Sequence, residues 1–205
     1  PYPNPEIRQA LEVCLKVAKE VGADILIATD PDCDRVGIAV KQGDDFRLFS
    51  GNEVGVLLTD FIAKRKVAMG IMPKNPVLVK TIVTTDLAKR VADDYGIETR
   101  DVLTGFKYIG DQIAGLEKDG EVDRYLLGFE ESYGYLSGSY VRDKDAVNGS
   151  YLIAQMFAYY KAKGKSLLEV LEGLYKKYGY YLNTLYSFEF DGESGMKKMD
   201  EIMDS

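Results

Sequence analysis

The chain has 205 residues, 46% of them hydrophobic and 29% charged, which is typical of a globular protein that can bury a sizeable core. Its formal net charge is −7, so it lacks the basic surface that binding to nucleic acid or to an acidic membrane surface requires. It contains no histidine, which excludes histidine-based triads, histidine-ligated zinc and acid–base catalysis by imidazole.

The cysteines and the hydropathy pattern indicate a cellular setting. Cys14 and Cys33 form neither a disulfide framework nor a CxxC metal pair. No apolar run approaches the length of a membrane span, and the sequence shows no signal-peptide pattern. We therefore expect a reducing, cytoplasmic setting with no membrane and no nucleic-acid partner.

The first fifty residues predict a helix followed by three strands. Asn4 is a suitable N-cap, Pro5 suits the first helical position, and Gly22 ends the predicted helix. Apolar residues at helical spacing, Cys14 among them, predict its buried face. The strands predicted after it are residues 23–29, 36–40 and 46–50, the last two forming a hairpin.

From residue 50 onward, helices and strands alternate. Ser50 followed by Glu53 predicts a capping box, and Gly96 is a typical helix end. The predicted elements are a helix to about Lys66, a strand 76–83, a helix 87–96, a strand 98–103, a helix 106–120, a strand 124–129, helices 145–162 and 166–178, a strand within 182–190 and a helix from about Ser194. This alternation predicts an α/β fold with a mixed, largely parallel sheet flanked by helices.

Residues 28–40, ATDPDCDRVGIAV, place three aspartates at alternate positions directly after a predicted strand. In an extended loop, alternate side chains point the same way, so Asp30, Asp32 and Asp34 would face one spot. Two like charges about 4 Å apart repel by roughly 1 kcal/mol in water and roughly 4 kcal/mol at an effective dielectric of 20. A cation is therefore expected between them.

Several kinds of site could contain this cluster. An EF-hand is excluded, because Arg35 stands where glycine is required and Lys41 where a bidentate glutamate belongs. A haloacid-dehalogenase-type phosphatase would carry DxDx(T/V), but Asp34 occupies the hydroxyl or apolar position. Such a phosphatase, a solvated acidic turn, and a Mg²⁺ site that faces a phosphate, with Arg35 neutralising residual charge, all stay open. The preceding strand favours the Mg²⁺ site, because it should carry the cluster to the carboxyl edge of a sheet.

Three further motifs are candidates for ligand binding. In TGFKYIG, Lys107 lies in a first helical turn, where an ammonium opposes the helix dipole unless it shares an anion there. In GFEESYGY, Glu130 and Ser132 suit a grip on vicinal sugar hydroxyls. VRDKDA contains two basic candidates for ligand binding, Arg142 and Lys144. Taken alone, TGFKYIG is equally explained by a surface lysine and GFEESYGY by a polar turn before a hairpin, while VRDKDA is most often a solvated face.

Taken together, DPDCDR, TGFK, GFEESYGY and RDKDA, in this order and at this spacing, resemble the α-D-phosphohexomutase superfamily, and most closely its bacterial phosphoglucomutase branch. The resemblance covers nearly the whole chain. It implies that Asp30, Asp32 and Asp34 hold Mg²⁺ and that Arg35 lies beside the phosphoryl group.

The resemblance also implies a set of substrate-binding residues. Glu130 and Ser132 match the residues that bind hexose hydroxyls in that superfamily. Lys107 matches the lysine of a third-domain loop, and Arg142 with Lys144 matches a basic loop near the ligand phosphates.

Members of that superfamily move phosphate between O1 and O6 of a hexose through a phosphorylated serine and a bisphosphate intermediate. The resemblance therefore implies an isomerase of the intramolecular phosphotransferase type. Its implied ligands are glucose 1-phosphate, glucose 6-phosphate and glucose 1,6-bisphosphate. Phosphomannomutase, phosphopentomutase and a non-catalytic module that binds divalent ions or sugar phosphates stay open as alternatives.

Two superfamily motifs are missing from this sequence, namely the Ser-His-Asn-type nucleophile motif of the first domain and the Arg-Pro-Ser-Gly-Thr clamp of the fourth. We therefore expect residues 1–42 to be the C-terminal part of domain 2 with the metal loop, residues 43–183 to be the sugar-binding domain 3, and residues 184–205 to be a linker strand and helix. The missing domains 1 and 4 are expected partners, and the chain alone is expected to be inactive.

Overall fold

The computed structural model describes residues 3–184, 186, 188 and 190–204. Its helices and strands, in chain order, are α1 Glu12–Glu20, β1 Ile25–Thr29, β2 Val36–Gln42, β3 Asp45–Leu48, α2 Gly51–Ala68, β4 Val77–Thr81, α3 Leu87–Asp94, β5 Glu98–Val102, α4 Phe106–Lys118, β6 Tyr125–Phe129, β7 Tyr135–Leu136, α5 Ala146–Lys161, α6 Leu167–Tyr178 and α7 Gly192–Met203. None of the described helices combines the length and the apolar character needed to cross a membrane.

The described strands form two sheets. Strands β1, β2 and β3 make an antiparallel sheet in that order, which confirms the predicted hairpin. The second sheet has the order β5-β4-β6-β7, with β4 parallel to β5 and β6, and β7 antiparallel to β6. The predicted mixed, largely parallel sheet is thus confirmed.

Helices cover both faces of the second sheet. Because side chains alternate along its strands, neighbouring residues of one strand pack against helices on opposite faces. Val77 and Val79 belong to the core cluster that contains Ile109 and Ile113 of α4. Leu78, between them, belongs to the larger cluster, which is built with residues of α2, α3, α5 and α6. The arrangement is a three-layer α/β unit.

Helix α2 is the central helix and lies against the end of β6. It begins with the predicted capping box, in which Ser50 Oγ accepts from the Glu53 backbone N–H at 3.2 Å and Glu53 Oε2 accepts from the Ser50 N–H at 2.9 Å. A Cβ at Gly55 would lie 2.0 Å from a ring atom of Phe129, so only glycine allows this close approach. The close packing holds the loop that follows β6 over the start of α2.

The parallel strands end at one edge of the sheet. Thr81 of β4 pairs with Val102 of β5, and Lys80 pairs with Phe129 of β6, so the loops after all three strands lie side by side. Ligands of open α/β sheets bind at such a carboxyl edge. This edge contains the TGFK turn and the GFEES loop.

The N-terminal prediction is wrong in two respects. A 3-10 helix at Arg8–Leu11 precedes α1, and Asn4 accepts from the Glu6 N–H at 2.9 Å, so it caps a turn instead of the helix. The physical reason is docking: Pro5 is buried, and its carbonyl oxygen would lie 2.5 Å from a Cβ at Gly37 of β2. Cys14, expected in the core, is exposed.

The C-terminal helix predicted from about Ser194 is present as α7, which begins at Gly192. The strand predicted within residues 182–190 falls partly on Leu185, Ser187 and Glu189, which lie outside the described residues. That strand stays a prediction.

Candidate functional site

The three aspartates of DPDCDR converge, although not by the predicted route. Carboxylate oxygens of Asp30, Asp32 and Asp34 lie within 4.8 Å of one another. The loop turns sharply instead of running extended: the Cys33 N–H donates to the Asp30 carbonyl at 3.1 Å, and Cys33 has φ +58°. The expectation of an extended loop is therefore wrong, while the expected cluster is present.

Asp30 is the structural anchor of residues 30–35, which we call the aspartate loop. Its side chain is buried, and Oδ1 accepts from the backbone N–H groups of Asp34 at 3.1 Å and Arg35 at 3.0 Å. Oδ2 accepts from Arg35 Nε at 2.8 Å. Burial raises the pKa of Asp30, but the hydrogen bonds from Arg35 and Asp34 outweigh it and lower the pKa to about 2. The carboxylate is thus ionised near neutral pH.

Arg35 contacts carboxylates on two sides. Its Nε bonds Asp30, and its Nη1 lies 3.2 Å from Oε1 of Glu6 in the N-terminal turn. Burial raises the pKa of Glu6 above its usual value, although Arg35 opposes this. The guanidinium therefore lies between two chain segments.

Lys144 connects the aspartate loop to residues 141–145, the basic loop. Its Nζ lies 2.6 Å from Oδ2 of Asp34 and 3.4 Å from Oδ1 of Asp143. Gly134 makes room for it, because a Cβ there would lie 2.5 Å from Cδ of Lys144. Burial raises the pKa of Asp34, and the nearby Asp30 raises it further, while Lys144 lowers it.

Backbone hydrogen bonds join the same loops to residues 130–134, which we call the glutamate loop. Arg35 and Gly134 form an antiparallel bridge, and the Val36 N–H donates to the Tyr133 carbonyl at 3.0 Å. The Ala146 N–H donates to the Cys33 carbonyl at 3.0 Å. Three of the four predicted motifs therefore meet at one place.

Glu130 connects the glutamate loop to the fourth motif. It is 5% exposed, and its Oε1 accepts from the Gly105 backbone N–H at 3.0 Å, in the turn before α4. Burial raises the pKa of Glu130, and the Gly105 bond and Lys144 partly offset this. Gly105 has φ +119°, a conformation suited to glycine, so the tight turn predicted before the helix is present.

Lys107 and Arg142 point to other partners. Lys107 is exposed, with Nζ 4.9 Å from the centre of the Tyr108 ring. Arg142 binds the Glu117 carboxylate of α4 and donates to the Ser139 carbonyl at 2.6 Å. In the part of the chain that the structure describes, neither contacts the aspartate cluster.

A cleft of about 670 Å³ opens beside the glutamate loop. It lies between the start of α2, the glutamate loop and the segment after α6, and Ser132, Glu131, Thr85 and Tyr181 are among its lining residues. Glu130 is not among them. The two adjacent glutamates therefore serve different sides of the loop.

Glu131 is a residue that the motif analysis missed. Its Oε2 accepts from the hydroxyls of Thr81 at 3.0 Å and Thr84 at 2.9 Å. These bonds tie the glutamate loop to the end of β4 and to the loop that follows it. The signal available in the sequence was a pair of threonines at the end of a buried strand and just after it.

Lys80 was also missed. It is 1% exposed, and its Nζ lies 2.8 Å from Asp101 Oδ1 and 3.2 Å from Asp86 Oδ1, while it donates to the Thr84 carbonyl at 3.1 Å. A buried ammonium needs such partners, because burying an unpaired charge is costly. The sequence feature that could have indicated it is a single lysine within the apolar run VLVKTIV.

The geometry defines an α/β protein in which the carboxylate cluster between β1 and β2 is joined through the Arg35–Gly134 bridge to loops at the carboxyl edge of the doubly covered sheet. The model of the phosphoglucomutase/phosphomannomutase alpha/beta/alpha domain III matches residues 50–178, and that of alpha/beta/alpha domain II matches residues 1–43. The chain belongs to the phosphoglucomutase/phosphomannomutase family.

Individual relatives agree with this assignment. A phosphoglucomutase of Staphylococcus saprophyticus is 38% identical over 98% of this chain and 36% of its own length. A Thermus thermophilus protein assigned as a phosphomannomutase superposes with a TM-score of 0.66 at 26% identity, over 93% of this chain and 40% of that one.

The Paramecium phosphoglucomutase pp63/parafusin shares the fold, with a TM-score of 0.66 at 21% identity over 100% of this chain and 34% of that one. The present chain spans about a third of the length of the curated relatives it matches, 36% of the Staphylococcus saprophyticus enzyme and 35% of a phosphoglucomutase of Staphylococcus aureus.

Proposed function

We propose that this chain supplies the metal-binding and sugar-binding parts of a phosphoglucomutase, which interconverts glucose 1-phosphate and glucose 6-phosphate through glucose 1,6-bisphosphate. The observation that supports this most directly is the 2.6 Å contact between Lys144 and Asp34, together with the Arg35–Gly134 bridge. These contacts bring cation-binding, anion-binding and hydroxyl-binding groups together. A hexose phosphate needs all three.

We further propose that Asp30, Asp32 and Asp34 bind Mg²⁺. The donor set fits, because three carboxylate oxygens within 4.8 Å of one another are the hard ligands that Mg²⁺ prefers, and the exposure of Asp32 leaves the cluster accessible from solvent. Mg²⁺, when bound, offsets the negative charge of a transferring phosphoryl group.

In this proposal the chain's own side chains orient the substrate. Arg35 and Lys144 supply positive charge on either side of the aspartate cluster. Glu130, with one oxygen held by Gly105, and Ser132 accept and donate hydrogen bonds to the sugar ring. Lys107, exposed in the first turn of α4, and Arg142, exposed in the basic loop, are proposed to bind the distal phosphate.

We also propose three segments for the chain: residues 1–42 as the C-terminal part of domain II, residues 43–183 as domain III, and residues 184–205 as a connection toward a further domain. The matched ranges 1–43 and 50–178 support this division.

Binding of Mg²⁺ and substrate can be tested on the 205-residue chain. We expect Mg²⁺ at about ten times its Kd to stabilise the chain by about 1.4 kcal/mol, which raises Tm by about 3 to 6 °C. Glucose 1-phosphate should raise Tm further only when Mg²⁺ is present. Thermal unfolding at increasing Mg²⁺, with and without the sugar phosphate, measures both responses.

Asp32→Ala is the matched control for this titration, because Asp32 is exposed and the substitution removes one proposed ligand. A chain that does not respond to Mg²⁺, or an Asp32→Ala variant that responds as the wild type does, would contradict the proposed metal site.

We expect the purified 205-residue chain to show no mutase turnover with glucose 1-phosphate and catalytic glucose 1,6-bisphosphate. The reason is that its sequence contains no Ser-His-Asn-type motif to supply the phosphorylated serine. A coupled assay for glucose 6-phosphate measures this. Flux that scales with the concentration of the chain would show that the nucleophile lies within these residues.

Phosphomannomutase activity is the second candidate, since the matching family models carry both names. The ratio of kcat/KM for glucose 1-phosphate and mannose 1-phosphate, measured on a protein that carries all its domains, decides between them.

A further inference from the structure

The guanidinium of Arg35 is bound on two of its three nitrogens. Nε bonds Asp30 Oδ2 at 2.8 Å, and Nη1 bonds Glu6 Oε1 at 3.2 Å. Among the described residues, Nη2 has no hydrogen-bond partner. A planar guanidinium held at two points has a fixed plane, so the free nitrogen has a fixed direction.

Glu6 is well placed to hold Arg35 because its own backbone is fixed. The Glu6 N–H donates to Asn4 Oδ1 at 2.9 Å, and the Ile7 N–H donates to the Asn4 carbonyl at 3.1 Å. The neighbouring Pro5 is buried against Gly37 of β2, where a Cβ would lie 2.5 Å from the Pro5 carbonyl oxygen. The Glu6 carboxylate therefore approaches Arg35 from an anchored turn.

The environment of Glu6 also connects it to the candidate site. Glu6 lines the 670 Å³ cleft together with Glu131, Ser132 and Tyr133. Its side chain is 31% exposed and that of Arg35 is 28% exposed. Both groups of the pair are thus partly shielded from water, which makes a charge-assisted hydrogen bond stronger than it is on an open surface.

We propose that Glu6 is a positioning residue for Arg35: it fixes the guanidinium plane so that Nη2 is free to bind the phosphoryl group of the substrate. This inference rests on the proposed function, because the phosphoryl group enters through it. Without Glu6, Arg35 is held through Nε alone and its outer nitrogens can rotate away.

The test compares Glu6→Ala and Glu6→Gln in the Mg²⁺-loaded 205-residue chain, with calorimetric titration of glucose 1-phosphate. Glu6→Ala should weaken binding about tenfold, the scale of one hydrogen bond to a charged group. Glu6→Gln keeps an acceptor oxygen and should bind within about twofold of wild type. Glu12→Ala, an exposed glutamate in the first turn of α1, is the matched control and should have no effect.

A double-mutant cycle separates positioning from a structural role. In an Arg35→Lys background the planar guanidinium that Glu6 would orient is absent. Glu6→Ala should therefore change glucose 1-phosphate affinity by less than about twofold. If Glu6→Ala weakens binding equally in both backgrounds, Glu6 does not act through Arg35. If Glu6→Ala binds as tightly as wild type, or more tightly, positioning by Glu6 is wrong as well.

A second readout keeps this inference distinct from the proposed function. The NMR signal of the Arg35 Nη1–H₂ group, identified by its loss in Arg35→Lys, should be resolved in wild type and Glu6→Gln and averaged by rotation in Glu6→Ala, where the bond to Glu6 Oε1 is lost. If wild type does not bind glucose 1-phosphate at all, the proposed function fails, and this signal still decides whether Glu6 orders Arg35. An unchanged signal in Glu6→Ala overturns the inference.

Discussion

Asp30→Ala is expected to lower the free energy of unfolding of the metal-free chain by about 2–3 kcal/mol and to remove its response to Mg²⁺. The carboxylate accepts from two backbone N–H groups and from Arg35 Nε, and it is buried, so alanine leaves these donors without a partner. Loss of repulsion from Asp34 offsets part of the cost. Urea unfolding in EDTA, followed by a Mg²⁺ titration, measures the two effects separately.

Asp32→Ala is the comparison that makes this prediction specific. In the described part of the chain, no hydrogen bond or ion pair involves Asp32, and its side chain is exposed. Its stability should therefore stay within about 0.5 kcal/mol of wild type, while its Mg²⁺ response is lost. If Asp30→Ala is as stable as Asp32→Ala, the anchoring role of Asp30 is wrong.

Gly51→Ala is expected to destabilise the chain by about 3 kcal/mol and to abolish its response to glucose 1-phosphate. A Cβ at this first residue of α2 would lie 2.0 Å from the carbonyl oxygen of Glu131 and 2.9 Å from the backbone nitrogen of Tyr133. Both are backbone atoms, so the glutamate loop must move away. Chemical unfolding and thermal shifts with Mg²⁺ and the sugar phosphate measure the result.

Gly173→Ala is the matched control for this substitution. Gly173 lies within α6, and a Cβ there meets nothing within 4 Å. Alanine should stabilise the chain by up to about 1 kcal/mol, because it has the higher helix propensity. If Gly51→Ala keeps wild-type stability and still responds to glucose 1-phosphate, the close contact between α2 and the glutamate loop is not needed for the site.

The two glutamates of GFEES illustrate what sequence reasoning could and could not provide. The motif indicated that a carboxylate and a hydroxyl serve a ligand there, but adjacent glutamates are chemically identical side chains. Only the packing distinguishes them: Glu130 accepts from the Gly105 N–H, and Glu131 accepts from the hydroxyls of Thr81 and Thr84. Likewise, Glu6 carried no motif signal, since its partner Arg35 is distant in the chain.

By itself the sequence determined the alternation of helices and strands, the capping box at Ser50, and the concentration of three aspartates in one loop. These features depend on neighbours within a few residues, so local spacing is sufficient to predict them. The tertiary structure alone decided that the N-terminal turn docks on β2, that Lys144 reaches Asp34, and that Arg35 lies between two carboxylates. Such contacts join segments far apart in the chain, and their geometry is set by how the sheets and helices pack together.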